Sequence, residues 1–377
     1  MLGRKARERR DAPGVPEYSG ISIGQLADAF DFGAGDDGRV RASNVLGLTA
    51  YWRGVSLIAG TIAGLPIKGH RETAEGKKPA DTFLTDPSPL FTRIEYYRLV
   101  LTDLLIHGNH FSRILFNGAG IPSGLDPIRP TDVTVKVENG RLTYEIHGKT
   151  REILAEDEVW HLRGLTTDGI VGLSPVAMCR TSLEIGRSAE LAGSKLFKRG
   201  MMLGGIVSPK EAMTREQAES AQRDWETRAS GVKNAHNTVV SSMAVTWQPL
   251  TMANEDAQWL ESRMFSVEDV ARILGVPPHL LMQTDKQTSW GSGVAEQNEG
   301  LARYTLRPWT DLIEASLDRL EPDIGHEFAY GALLRPSTTL RYQAYQMALS
   351  SGWMTIDEVR DLEDLPPHPI TQALKEA

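Results

Sequence analysis

Between Glu255 and Leu274 the apolar residues Leu260, Met264, Val267, Ala271 and Leu274 recur every three or four positions, and the pattern stops at Gly275-Val276-Pro277-Pro278. That period places all five on one stripe of an α-helix, and the glycine and prolines end it firmly. A helix over 255–274 is about 30 Å long at the usual rise per residue. Being apolar on one side, it must lie against other elements along its length, while Glu261, Glu268, Asp269 and Arg272 occupy the remaining faces.

Two more segments predict helices of similar length. Ser174-Pro175 reads as an N-cap followed by proline in the first helical position, opening a helix over 175–199 that Gly200 ends. LARYTLRPWTDLIEASLDRL, from Leu301, predicts another, kinked or restarted at Pro308. Shorter helices are expected after Thr49, where Val55, Ile58, Ala59 and Ile62 form a stripe, and over 93–107, closed by Gly108. Thr214 with Gln217, and Thr355 with Glu358, have capping-box spacing. From Phe111 to Arg163 the period changes to short β-rich pieces, VTVKVE, LTYEIH and EVWHLRG among them, punctuated by Asn117-Gly118 and Asn139-Gly140. Val239 to Trp247 also reads as strand, whereas the stretch around Lys77 and Lys78 reads as a charged loop. The chain is therefore α+β, and 377 residues are enough for two or three packing units. Residues 1–43 show little periodicity and read as a flexible arm.

The same residues exclude several classes of function. The longest apolar stretch, Val55 to Leu65, is interrupted by Ser56, Gly60, Thr61 and Gly64 and falls short of the roughly 20 residues that span a bilayer. The basic opening runs into Ala12-Pro13-Gly14 rather than an apolar core, so a secretory signal is not expected and a cytoplasmic site of synthesis and assembly is. Cys179 stands alone and reads as a small core residue, with no disulfide framework or metal site around it. No G-x-x-x-x-G-K-[ST], G-x-S-x-G, H-E-x-x-H or C-x-x-C occurs. His107 and His110 are separated by a helix-ending glycine, and Asp361 with Glu363-Asp364 reads as a solvated helix end. The expectation is no enzyme, no cofactor and no metal. With 41 Lys+Arg against 49 Asp+Glu the formal charge is −8, which disfavours tight sequence-blind binding of DNA but suits a wall past which phosphates slide.

Five stretches carry a resemblance: AYWRGVSLIAGTIAGLPI from Ala50, DLLIHGNHFSRI from Asp103, DGIVGLSPV from Asp168, FSVEDVARILGVPPHLL from Phe265 and RYTLRPW from Arg303. In this order and spacing the chain resembles the phage portal protein family, in the branch common among long-tailed phages, prophages and gene transfer agents. The resemblance covers about Asn44 to Pro367. It implies a ring, dodecameric in the family, at one capsid vertex, through which double-stranded DNA is packaged and ejected without sequence specificity. It further implies a wing over 44–174, a stem helix over 175–201, a clip over 202–250 and a second stem helix over 251–276. A tunnel-loop region over 277–295, a long wing helix over 296–335 and a short crown over 336–377 complete the subunit. Implied partners are other copies of the chain, the terminase large subunit, a head-tail adaptor and the major capsid protein. Trp225 and Trp247 are the expected partner anchors in the clip, the alternative being that each fills the clip's own core. The tunnel loop itself would be Thr284, Asp285, Lys286, Gln287, Thr288, Ser289, Trp290, Gly291, Ser292 and Gly293, a mobile segment whose two charges cancel. The competing readings are a head-tail adaptor ring, usually much smaller, and a packaging-associated enzyme, which would need a carboxylate cluster or phosphate loop.

Overall fold

The computed structural model describes residues 39–198 apart from 75 and 149, strands at 205–209 and 245–249, and six positions within 214–223. It also describes residues 266–282, 297, 299–333 and 338–368 apart from 364 and 367. Contacts divide the chain into two units, one of residues 1–52 and 180–263 and the other of residues 53–179 and 264–377.

Val40, within the span expected as an arm, is buried, and its N–H reaches Glu184 Oε1 at 3.3 Å. Helix α1 (Thr49–Gly64) buries Val55, Ile58, Ala59 and Ile62 as its stripe requires, with Thr49 as the first helical residue rather than the cap. Strands β1 (Ile67–Thr73) and β2 (Gly76–Ala80) then form an antiparallel hairpin where a charged loop was expected. Exposed lysines and Pro79 on β2 are what protect a sheet edge, and they leave no alternating pattern to read.

Helix α2 (Arg93–His107) opens with a capping box between Thr92 and Glu95 and closes on Gly108, whose φ of 73° is left-handed. Strands β3 (Asn109–Phe116), β4 (Pro122–Ile128), β5 (Val133–Glu138), β6 (Arg141–His147), β7 (Arg151–Ala155) and β8 (Val159–Arg163) make two antiparallel sheets, in the orders β4-β3-β8 and β5-β6-β7. The turn between β5 and β6 is Asn139-Gly140, both at positive φ, as a two-residue hairpin demands. Phe111, Tyr144, Leu154 and Val159 fill the core that the two sheets share.

Ser174 caps the next helix as expected, but the single helix predicted over 175–199 is two. Helix α3 (Pro175–Met178) stops at half-buried Cys179, whose φ of −100° and ψ of 19° leave the helical range, and α4 (Arg180–Lys198) restarts the axis. Strands β9 (Gly205–Pro209) and β10 (Val245–Pro249) pair antiparallel. Helix α5 covers residues 266–274. A π-helical turn, Ala302–Leu306, leads into α6 (Arg307–Leu317), so the restart expected at Pro308 is a widened turn that accommodates the missing N–H. The span 296–335, expected as a long wing helix, also holds β11 (Gly325–Phe328), which pairs with β1 to give the order β11-β1-β2. Pro322 and Gly325 stop the helix, and Asp318 Oδ1 accepts the His326 N–H at 3.0 Å in the turn. The chain ends in α7 (Thr338–Ser350) and α8 (Ile356–Leu362), the latter with its Thr355–Glu358 capping box formed. Glu363 is not a solvated helix end: Arg341 Nη2 and Tyr345 OH donate to it at 3.0 and 2.9 Å.

The tightest joint lies where α2 ends. A Cβ on Gly108 would sit 2.1 Å from Leu173 O, and one on Gly172 would sit 2.0 Å from Gly108 O. Asn109 locks this contact: its Nδ2 donates to Gly172 O at 2.8 Å and to His107 O at 3.1 Å, while its Oδ1 accepts from Gly172 N at 2.7 Å. Ser174 Oγ donates to Ile106 O at 2.7 Å. Behind Asn109, His161 stacks on Phe111 at 4.2 Å and places Nε2 3.1 Å from Asn109 Oδ1. Burial, then the charges of Arg163 and His110, push the His161 pKa down to about 3.

Gly108→Ala should lose about 3 kcal/mol of unfolding free energy in urea, because left-handed backbone and a backbone clash coincide. A loss below about 0.5 kcal/mol, the size of an ordinary surface change, would show that the joint yields freely. The neutral native His161 makes the unfolded chain the better proton binder below pH 6.5. Its contribution is therefore complete above that pH and is lost as pH falls toward about 3. His161→Phe should narrow the stability difference between pH 7 and pH 5 by about 2 kcal/mol, read by urea unfolding at each pH.

Candidate functional site

The expected tunnel loop, Thr284 to Gly293, lies outside the described residues, as do Trp225 and Glu261. Trp247 lies within β10, its backbone opposite Val207. What the structure does place are the two elements that bracket the loop. On the N-terminal side α5 buries Asp269, Val270, Ala271 and Leu274 in the unit of residues 53–179 and 264–377. Asp269 is therefore not on an open face; it is ion-paired to Arg272 one turn on, and Glu268 is half-buried. The helix closes at Gly275, with φ of 67°, and Val276 N–H returns to Ala271 O at 2.9 Å.

Beyond it, Pro278–Leu281 forms a 3-10 turn whose Leu280 O accepts from Arg53 Nε at 3.2 Å. Gly54 matters for the same contact, since a Cβ there would meet Leu274 Cδ1 at 2.3 Å. On the C-terminal side, Thr305 Oγ1 in the π-helical turn donates to Gly275 O. This bond joins residues 30 apart and ties together the two ends of the segment that includes the expected loop. Helix α6 is in turn fixed to the sheets: Trp160 Nε1 donates to Ser316 Oγ at 2.7 Å, and Glu314 Oε1 accepts from Phe328 N at 2.7 Å. The elements on either side of residues 283–296 are thus held by a helix and by strands.

One arrangement superficially offers chemistry. Asp103 Oδ2 lies 2.8 Å from His110 Nδ1, and His110 Nε2 lies 2.9 Å from Ser112 Oγ, the order of a hydrolytic triad. The chain continues to Tyr96 OH, 2.8 Å from Ser112 Oγ. The row therefore runs unbroken from Asp103 through His110 and Ser112 to Tyr96. His110 and Ser112 are fully buried, and burial also raises the Tyr96 phenol well above its ordinary range. The neighbouring cleft is lined by His107, Asn109, Phe111, Pro130, Val133, Val135 and Val171, not by His110 or Ser112. This row of hydrogen bonds satisfies the polar groups between α2 and β3 and presents no nucleophile to a substrate. The spacing of His107 and His110 in the sequence gives no hint of Asp103 or Tyr96 as partners. Among the described residues no group of three metal-ligating side chains comes together.

The sequence pattern of phage portal proteins matches residues 49–364. The probable portal protein of Streptomyces phage phiC31 is 32% identical over 353 residues, covering 88% of this chain and 77% of its own. The portal protein of Enterobacteria phage HK97 is 29% identical over 349 residues, covering 88% and 82%. A subunit in the neck of a native gene transfer agent particle, computed with C12 symmetry, shares the fold with a TM-score of 0.60 at 21% identity, covering 92% of this chain and 94% of that one. With a match that spans both bracketing elements and every sheet of the larger unit, the chain belongs to the phage portal protein family.

Proposed function

We propose that the chain is the repeating subunit of a ring at one capsid vertex, with double-stranded DNA passing through its centre in packaging and again in ejection. The observation that carries this is the unbroken family match over residues 49–364, including the anchors on both sides of the 283–296 segment. Twelve copies are proposed from the C12 symmetry of the gene transfer agent neck. Assembly takes place in the cytoplasm of a bacterial host. The finished ring sits in the virion, with the major capsid protein around it.

In this reading residues 202–250 form the clip, contacting the terminase large subunit first and a head-tail adaptor afterwards, with Trp225 and Trp247 as anchors. The stem consists of α4 and the helix expected over 251–276. Thr284 to Gly293 would line the tunnel. Asp285 and Lys286 cancel in charge, so the loop touches DNA without holding phosphates, and the net −8 of the chain keeps the wall unattractive to the duplex. No chemical step is asked of the protein; its work is to hold a hole of fixed size and to change partners.

Deleting Gln287 to Ser292 should leave rings intact, because the Thr305 to Gly275 anchor is untouched, and should yield capsids that fail to fill or to retain DNA. Normally filled particles, counted by cryo-electron microscopy, would exclude this loop as the constriction. Reversing Glu216 and Glu219 should leave ring formation unchanged and weaken terminase binding in a pull-down with purified rings. Unchanged docking with loss of rings would place that face between subunits.

A further inference from the structure

Two of the sheet edges carry their own protection. Edge strand β2 holds Pro79 and exposed lysines, and edge strand β4 holds Pro122 and Pro127 and shifts register against β3. Edge strand β5 has neither device. It holds no proline, pairs with β6 in unbroken register over all six residues, and has no strand on its other side among the described residues. Valine stands at positions 133, 135 and 137, and Val137 is more than half exposed. Such an edge presents a row of backbone N–H and C=O groups that another extended chain can complete.

The two faces of β5 specify the chemistry of that chain. On one face Val133 and Val135 line the cleft beside His107, which has a volume of about 170 Å³ and no residue of β6 or β7 in its wall. A cavity of roughly this size accepts a benzene-sized apolar group. Burial, against a smaller pull from Asp103, lowers the His107 pKa, so this wall is uncharged near neutral pH. On the other face Lys136 Nζ lies 2.6 Å from Glu145 Oε2, and Arg151 Nε closes on the same carboxylate. Hydrogen bonds from Lys136 and then Arg151 hold the Glu145 pKa below the ordinary carboxylate range. One carboxylate thus answers two cations whose side chains are 44% and 62% exposed. The other acid on this face, Glu138, lies opposite Arg141, so one positive charge is left unmatched. Residues of an added strand alternate between the two faces: one set enters the cleft, and the other emerges beside Thr134 and Lys136. A nucleic-acid backbone would bring negative charge but nothing to fill the cleft. We infer that β5 accepts an added strand from another protein, an extended segment with apolar side chains turned to the cleft and acidic ones turned to Lys136. The inference goes beyond the ring proposed above and holds for a single copy of the chain.

Amide hydrogen exchange of the full chain, titrated with a blocked Val-Asp-Phe-Asp-Val peptide, tests it. Exchange over residues 133–138 should slow several-fold, and a Val-Lys-Phe-Lys-Val peptide should not slow it. Lys136→Gln should weaken binding of the acidic peptide several-fold in isothermal titration, with unchanged circular dichroism, and leave binding of a Val-Asn-Phe-Asn-Val peptide as in wild type. Exchange that the acidic peptide leaves unaltered up to its solubility limit would overturn the inference, as would equal slowing by the lysine peptide. Slowing that accompanies ring assembly without peptide would give this edge to another copy of the chain, and slowing by duplex DNA alone would give it to phosphates. Either outcome overturns the inference and leaves the portal reading standing.

Discussion

Backbone meets backbone where α2 turns into β3, and that contact sets the geometry of the larger unit. Gly108 turns the chain in a conformation open to glycine, and Leu173 O and Gly172 come so close that neither glycine can carry a side chain. Asn109 then supplies both a donor and an acceptor to Gly172, so the approach is held by hydrogen bonds and not by packing alone. From this point the helix lies over β3, His161 and Phe111 stack beneath, and Ser174 caps the helix that leads out of the unit. Displacing it would move the sheet relative to the helix, and with the sheet would go Trp160 and its bond to α6.

The stretches that carry the family resemblance turn out to be the joints of the fold. Gly108-Asn109 belongs to one and Gly172-Leu173-Ser174 to another, and they close on each other. Arg53 and Gly54 belong to a third and meet Leu280 and Leu274 of a fourth. Thr305 of the fifth bonds Gly275 of the fourth. Together these joints fix the elements on either side of residues 283–296. The positions that admit little change are those where chain segments touch too closely for any other side chain.

Much of this was legible in the sequence where a local rule determines the outcome. The Thr355–Glu358 capping box, Gly108, the Asn139-Gly140 turn, the strands at 133–138 and 141–147 and the stripe of α1 all follow from spacing and turn chemistry. The β1–β2 hairpin did not, because its edge strand is charged and exposed and has no buried face to impose alternation. The break at Cys179 was equally invisible: a proline-started helix with good formers after it gives no local reason to stop at four residues. Asp269 read as a surface residue from the helical wheel, yet it is buried, because the partners of α5 come from segments distant in sequence. The Asp103, His110, Ser112 and Tyr96 row shows the same limit, since its members are spaced by a helix, a turn and a strand.

The central claim is that this chain works as a ring, and the size and shape of the purified particle test it most directly. Negative-stain electron microscopy combined with sedimentation should show a closed ring with a central hole and a mass near twelve times the 41.5 kDa subunit. A chain that stays monomeric at high concentration, even with capsid and scaffolding partners present, would contradict the account.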